Sequence, residues 1–170
     1  MKGTPRSTSS ALVPLHGDLI HSEAGERFGA VLETLLSLDA PGRQVLVTSP
    51  SRGDGKTLTA SNLALAFRAR NISVLLVELA LRRPQFSRIF GDPPSHRGMD
   101  SVLRGECKLE DIVCLRNDNG LHLAMSGPMP YAEDLLAPGE ALNKALEGAR
   151  AGYKWTIFDG AGDREQPTCG

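Results

Sequence analysis

Hydrophobic positions along this chain follow two periods, one typical of helices and one typical of buried strands. Apolar residues recur at helical spacing in residues 23–38, and short apolar runs bounded by turn residues follow it. The predicted elements, in chain order, are helix 23–38, strand 44–48, helix 56–70, strand 73–77, short helices 99–103 and 109–113, strand 121–124, helix 141–150 and strand 154–158. Strands that alternate with helices predict an α/β fold with a mostly parallel sheet flanked by helices.

Composition divides the chain into three parts. Residues 1–21 are rich in Ser, Thr, Gly and Pro and are predicted to be a flexible leader. Residues 22–160 carry the predicted helices and strands, and a chain of 170 residues is long enough for one domain with a buried core. Residues 161–170 are predicted to be a polar tail.

Charge and cysteine usage argue against several classes of function. The chain has 19 Lys and Arg against 20 Asp and Glu, so its bulk charge predicts neither a nucleic-acid partner nor a membrane-surface partner. It has no run of about 18 apolar residues, so direct insertion into a membrane is not expected. The three cysteines are widely spaced and no Cys/His cluster has ligand spacing, so we expect no structural zinc and a reduced, cytoplasmic setting.

A glycine-containing turn joins the first predicted strand to the second predicted helix. Gly53 and Gly55 would let backbone N–H groups approach phosphate oxygens, and the helix adds the positive end of its dipole. Lys56 would neutralise the β- and γ-phosphates, and the Thr57 hydroxyl would hold magnesium. The standard pattern places a further glycine where this chain has Pro50, and a chance match in an ordinary strand-to-helix turn is the alternative.

This turn predicts a P-loop (Walker A) site for a nucleoside triphosphate with Mg²⁺, and residues 22–160 are therefore predicted to be a nucleotide-binding domain. We interpret the carboxylate of the loop, Asp54, as tolerated beside the phosphates and not as a catalyst. The predicted nucleotide-binding residues are Arg52, Gly53, Asp54, Gly55, Lys56, Thr57 and Leu58.

The loop, followed by Asn62-Leu63-Ala64, resembles the P-loops of bacterial protein-tyrosine kinases of the capsular and exopolysaccharide type. These kinases are related to the cell-division and plasmid-partition ATPases. Residues 74–84, which end in Arg82-Arg83-Pro84, are similar to the second acidic motif of the kinases, and this ending separates them from the partition ATPases. The further passages that resemble the family are residues 97–105, 121–136 and 155–159. The resemblance covers roughly residues 26–159.

The resemblance implies an ATP-dependent transferase that moves the γ-phosphate to protein tyrosine. It assigns catalytic roles to Lys56, Glu78 and Asp159, and a magnesium site to Thr57, Glu78 and Asp159, with Asp159 acting through a water. The family has aspartates where this chain has Glu78 and Ala80, so activity is expected to be weakened. A catalytically impaired nucleotide-binding regulator of polysaccharide export is the alternative, and a partition-type ATPase is a further one.

The resemblance also bears on partners and on the end of the sheet. It implies a cytoplasmic protein that works with a membrane-embedded polysaccharide co-polymerase or activator at the inner face of the membrane. The family's oligomer-contact motif survives only as Glu26, with Gly29 and Leu32 in place of arginines, so a homo-oligomer stays an open alternative. Family members continue past Asp159, so we expect C-terminal strands to be missing and one sheet edge to be unpaired. A fragment, a decayed copy and a protein completed by a partner all fit that expectation.

Overall fold

The computed structural model describes residues 23–38, 43–51, 53–92, 96–116, 120–127 and 139–161. The predicted leader and nearly all of the predicted tail lie outside these residues. The helices are α1 Glu23–Ser37, α2 Lys56–Ala69, α3 Phe86–Phe90, α4 Met99–Leu103 and α5 Gly139–Gly152, with a 3-10 turn at Leu109–Asp111. The strands are β1 Gln44–Val47, β2 Val74–Glu78, β3 Val113–Leu115, β4 His122–Ala124 and β5 Trp155–Asp159.

The five strands form one sheet in the order β1-β5-β2-β4-β3, and all neighbours are parallel except β3 and β4. The last strand in sequence, β5, lies between β1 and β2. Its final residue, Asp159, is level with Val47 of β1 and with Glu78 of β2. The carboxyl ends of these three strands therefore meet at one edge of the sheet, where open α/β sheets bind their ligands.

Apolar side chains cover both faces of this sheet, as a sheet with helices on each side requires. On one face, α1 and α2 contribute Leu32, Leu63 and Phe67 to a cluster that includes Trp155, whose ring centroid is 4.9 Å from that of Phe67. On the other face, α4 and α5 pack over a second cluster, which includes Phe158. The predicted α/β fold with a mostly parallel sheet is confirmed.

Three local predictions were incomplete or wrong. Helix α3 was not predicted, and the predicted helix over residues 109–113 is a 3-10 turn that leads directly into β3. The first strand was predicted to be buried, but Leu46 is 59% exposed. The reason is that β1 ends the sheet, and within the described residues only β5 pairs with it. No helix in the described ranges is long and apolar enough to cross a membrane.

Candidate nucleotide-binding site

The loop between β1 and α2 has the backbone that a phosphate site requires. Gly53 and Gly55 have φ angles of 85° and 80°, in the left-handed region that favours glycine. A Cβ at either position would have open space around it, so backbone conformation and not crowding is the reason for glycine. Gly55 is also the N-cap of α2, and its carbonyl accepts a hydrogen bond from the Thr59 amide at 2.8 Å. The free amides of the first turn of α2 therefore begin where this loop ends.

The Lys56 ammonium lies back across the loop that precedes it. Its Nζ donates to Ser49 Oγ at 2.9 Å and to the Ser51 carbonyl at 3.0 Å. The Ser51 amide in turn donates to Asp54 Oδ2 at 3.1 Å. The Lys56 side chain is thus hydrogen-bonded to the loop that precedes it, and the Asp54 side chain is hydrogen-bonded to the backbone of the same loop. Leu58, predicted to be part of the site, is exposed on the first turn of α2, and Arg52 lies outside the described residues.

Thr57 and Asp159, distant in sequence, meet at the carboxyl edge of the sheet. The Thr57 hydroxyl donates to Asp159 Oδ2 at 2.7 Å. Asp159 is 0% exposed, and its other oxygen, Oδ1, has no hydrogen-bond partner among the described residues. Burial raises the pKa of Asp159 to about 6 and the charge of Glu78 adds to this effect, while the Thr57 hydrogen bond and Lys56 oppose it.

The pair of Thr57 and Asp159 fits a hard divalent cation in its donor chemistry. A hydroxyl and a carboxylate oxygen are ligands that Mg²⁺ accepts, and the orphaned Oδ1 is a buried acceptor that such an ion would satisfy. Among the described residues no group of three or more His, Cys, Asp or Glu side chains could enclose a metal. Such a site suits Mg²⁺, which completes its shell with water and substrate phosphates.

The carboxylate of Glu78 has other partners. This side chain is 1% exposed, and its Oε1 accepts the Gln85 and Phe86 amides at 2.5 and 2.8 Å. Its Oε2 accepts the Ser126 amide at 3.0 Å and the Ser126 hydroxyl at 2.8 Å. A carboxylate has about four acceptor positions, and these four donors use them all. Next along the chain, Ala80 contributes only a methyl group, and Arg82 is exposed.

The structure therefore brings Lys56, Thr57 and Asp159 together and gives Glu78 partners that the sequence did not predict. Three serines contact the predicted site residues without having been predicted as site residues themselves, namely Ser49, Ser51 and Ser126. Ser126 follows strand β4, at the same edge as the other site residues. A search for polar residues just after every predicted strand would have found it.

A cavity of about 1470 Å³ lies at the opposite edge of the sheet. Ser73, His122 and Tyr153, which lie at the amino ends of β2, β4 and β5, are part of its lining. Tyr153 Oη and His122 Nδ1 are 2.7 Å apart. The P-loop residues do not line this cavity, so it is separate from the candidate nucleotide site.

The glycine loop between a parallel strand and a helix, with a threonine and a buried aspartate beneath it, defines a P-loop nucleotide-binding fold. Sequence similarity to known proteins indicates a narrower group within this class. The chain is 32% identical over 123 residues to tyrosine-protein kinase YwqD of Bacillus subtilis. The matched region covers 72% of this chain and 52% of that kinase. No protein-family profile matches the chain.

Solved structures agree in fold. The VpsO kinase domain is 30% identical with a TM-score of 0.65, over 78% of this chain and 65% of that domain. The septum site-determining protein MinD of Pyrococcus horikoshii, solved with Mg-ADP, is 23% identical with a TM-score of 0.61, over 72% of this chain and 50% of MinD. The likeness to MinD shows the fold alone. The predicted resemblance to bacterial tyrosine kinases is confirmed, and the chain spans about half the length of the curated relatives that it matches.

Proposed function

We propose that this chain binds Mg·ATP in the loop before α2 and transfers the γ-phosphate to a protein tyrosine. The observation that carries the proposal is the convergence of the Lys56 ammonium, the Thr57 hydroxyl and the Asp159 carboxylate at one edge of the sheet. The similarity to named tyrosine-protein kinases supports the choice of tyrosine as the acceptor.

Each residue of the site would act by binding and charge. The amides of the first turn of α2 would donate to phosphate oxygens, and Lys56 would exchange its bonds with Ser49 and Ser51 for bonds to the β- and γ-phosphates. Thr57 and Asp159 would hold Mg²⁺, Thr57 through its hydroxyl and Asp159 in its ionised form. When bound, this ion neutralises charge on the β- and γ-phosphates.

The acceptor and the setting of the reaction are further parts of the proposal. By resemblance, the tyrosine lies on this protein or on a partner in polysaccharide export. The same resemblance favours a cytoplasmic location beneath the membrane, where a membrane-embedded co-polymerase would activate the kinase. If this chain were washed off membranes that contain such a protein, without any detergent, that loss would argue against a stable partnership.

A second candidate function is a nucleotide-binding regulator without catalysis, and Ala80 is the observation that favours it. A methyl group at this position cannot accept the proton of an attacking hydroxyl. Such a protein would bind nucleotide through the same loop and act through its associations.

Labelled ATP separates the two functions. Purified protein is incubated with labelled Mg·ATP beside Lys56→Ala, Ala80→Asp and the control Lys108→Ala, which removes an exposed lysine outside the loop. Label on tyrosine that is retained in the control and lost in Lys56→Ala supports the kinase. Label that appears only after Ala80→Asp supports the regulator. Equal labelling of the parent and Lys56→Ala would overturn the assignment of the loop.

A further inference from the structure

Glu78 joins three segments that are separate in sequence. Its Oε1 accepts the two amides at the start of α3, and its Oε2 accepts the amide and hydroxyl of Ser126. The N-cap residue of α3, Gln85, makes no side-chain capping bond, and Glu78 of β2 accepts the amide hydrogen bonds of this residue and of the first helical residue, Phe86. One buried carboxylate therefore fixes the path of residues 79–85 and the loop after β4.

The loop after β4 is fixed from its other side as well. The Met99 amide donates to the Met125 carbonyl at 2.8 Å. A Cβ on Gly98 would lie 2.0 Å from the Gly127 nitrogen, and a Cβ on Gly127 would lie 2.0 Å from Asp100 Oδ1. The two glycine backbones are thus in direct contact. Ser126 therefore has little freedom to move away from Glu78, and the hydrogen bonds of Glu78 belong to a close-packed junction.

We propose that Glu78 is a positioning residue of the nucleotide site, which holds segment 79–85 at its rim, and that Asp159 alone supplies a carboxylate to the metal. This inference rests on the proposed nucleotide binding. Glu78 and Asp159 are level in adjacent strands, and the Leu79 amide donates to the Asp159 carbonyl at 2.9 Å. The segment that Glu78 holds therefore begins beside the carboxylate of Asp159.

The partners of the two carboxylates support this division of roles. Glu78 has no acceptor position to spare, so binding a cation would leave a buried amide or hydroxyl without its partner, at a large desolvation cost. Asp159, in contrast, has a buried oxygen to which no residue that the structure describes donates a hydrogen bond. We expect an aspartate, which is shorter by one methylene, to lose part of this set of four hydrogen bonds.

Two substitutions with opposite chemistry test the proposal. Glu78→Gln keeps the length of the side chain and an oxygen for the Gln85 and Phe86 amides, but it removes the charge and replaces the acceptor of the Ser126 amide with an N–H donor. Glu78→Asp keeps the charge but removes the reach. Glu147→Gln, at an exposed position of α5, is the matched control. The measurements are the affinity for ADP with Mg²⁺ and with EDTA, and the amide hydrogen exchange of Gln85, Phe86 and Ser126.

If Glu78 is a positioning residue, Mg²⁺ should raise the ADP affinity of Glu78→Gln as much as it raises that of the parent. The Gln85 and Phe86 amides of this variant should keep most of their protection from hydrogen exchange. Glu78→Asp is expected to lose that protection and to weaken ADP binding equally with and without Mg²⁺. Asp159→Asn is expected to reduce the gain from Mg²⁺ by about tenfold or more. Loss of the gain from Mg²⁺ in Glu78→Gln, where the charge is removed and the reach is kept, would overturn the proposal.

The exchange measurement separates this inference from the proposed function. If the parent protein bound no ADP under either condition, the nucleotide site would fail, and with it the metal role of Asp159. Unchanged protection of Gln85, Phe86 and Ser126 in folded Glu78→Asp would instead show that Glu78 does not hold these segments, whatever the protein binds.

Discussion

Glu78 and Asp159 end neighbouring strands and are both buried, but their hydrogen bonding is opposite. Within the described part of the chain, Glu78 accepts from four donors, whereas Asp159 accepts from the Thr57 hydroxyl and its Oδ1 has no donor. A buried carboxylate without enough donors is costly when ionised, and a nearby negative charge adds to the cost. Asp159 therefore destabilises the ligand-free fold at neutral pH, as expected of a residue kept for binding.

The first prediction concerns the stability of Asp159→Asn. The pKa of Asp159 is raised from 3.8 to about 6, so its neutral form favours the folded state. This stability is fully present below pH 3.8 and is lost as pH rises through about 6. At pH 7 without nucleotide, Asp159→Asn should raise the free energy of unfolding by about 3 kcal/mol, because the pKa rises from 3.8 to about 6 and each unit of pKa corresponds to about 1.4 kcal/mol.

Urea unfolding of both proteins between pH 4 and pH 8 would measure this difference. The difference in stability should be small at the acid end and grow as pH rises. Parallel curves for the two proteins would show that Asp159 does not titrate in this way. Added Mg²⁺ and ADP should reverse the order at pH 7, since the parent gains stability from ligand that the variant binds poorly.

At the scale of elements, long periodic segments could be predicted from the sequence and short ones could not. Helices α1 and α2 have 15 and 14 residues, enough to show their period or follow a recognisable loop. Helix α3 has five residues and depends on Glu78 for its first amides, a contact that no local pattern contains. Strand β3 has three residues and takes its form from pairing with β4. Whether such short elements form is determined by tertiary contacts and not by the local sequence.

In the candidate site, too, some residues could be predicted from the sequence and some contacts could not. The loop glycines, Lys56 and Thr57 are contiguous, so their spacing alone predicted them. The nearness of Asp159 to Thr57 depends on β5 lying between β1 and β2, which required the family resemblance. The partners of Glu78 could not be predicted, because they come from α3 and from the loop after β4.

The second prediction compares two glycines. In Gly98→Ala the new methyl would lie 2.0 Å from the Gly127 nitrogen, so the backbone must shift, and we expect a loss of about 1–3 kcal/mol in stability. In Gly148→Ala the nearest atom outside α5 is 4.0 Å away, and alanine in a helix should stabilise by about 0.5–1 kcal/mol. Thermal unfolding of the two variants would test this, and equal effects would contradict the close packing of Gly98 on Gly127.

At the scale of the whole molecule, the two edges of the sheet have different chemistry. The candidate nucleotide site lies at the carboxyl edge, and the cavity lined by His122 and Tyr153 lies at the amino edge. Burial lowers the pKa of His122, and the positive charge of Arg68 adds to this effect. Burial raises the pKa of Tyr153. Both rings therefore stay neutral near pH 7.

The third prediction concerns the pH dependence of this pair. Because the pKa of His122 is lowered on folding, its contribution to stability is present above about pH 6.5, the ordinary pKa of histidine, and is lost as pH falls through the folded value. His122→Gln should therefore be less stable than the parent at pH 8, and the gap should narrow towards pH 5. Melting temperatures across this range would test it, with Tyr153→Phe as the companion variant. A gap that widens in acid would contradict the prediction.

The exposed position of β1 has a practical consequence. Its four residues, Gln44–Val47, include neither a charge nor a proline, and Leu46 lies open on one face. Edge strands normally carry lysine, proline or a bulge, because an unprotected edge can pair with a strand of another molecule. We expect this chain to self-associate through β1 at high concentration. Leu46→Lys should reduce this association without altering the loop before α2.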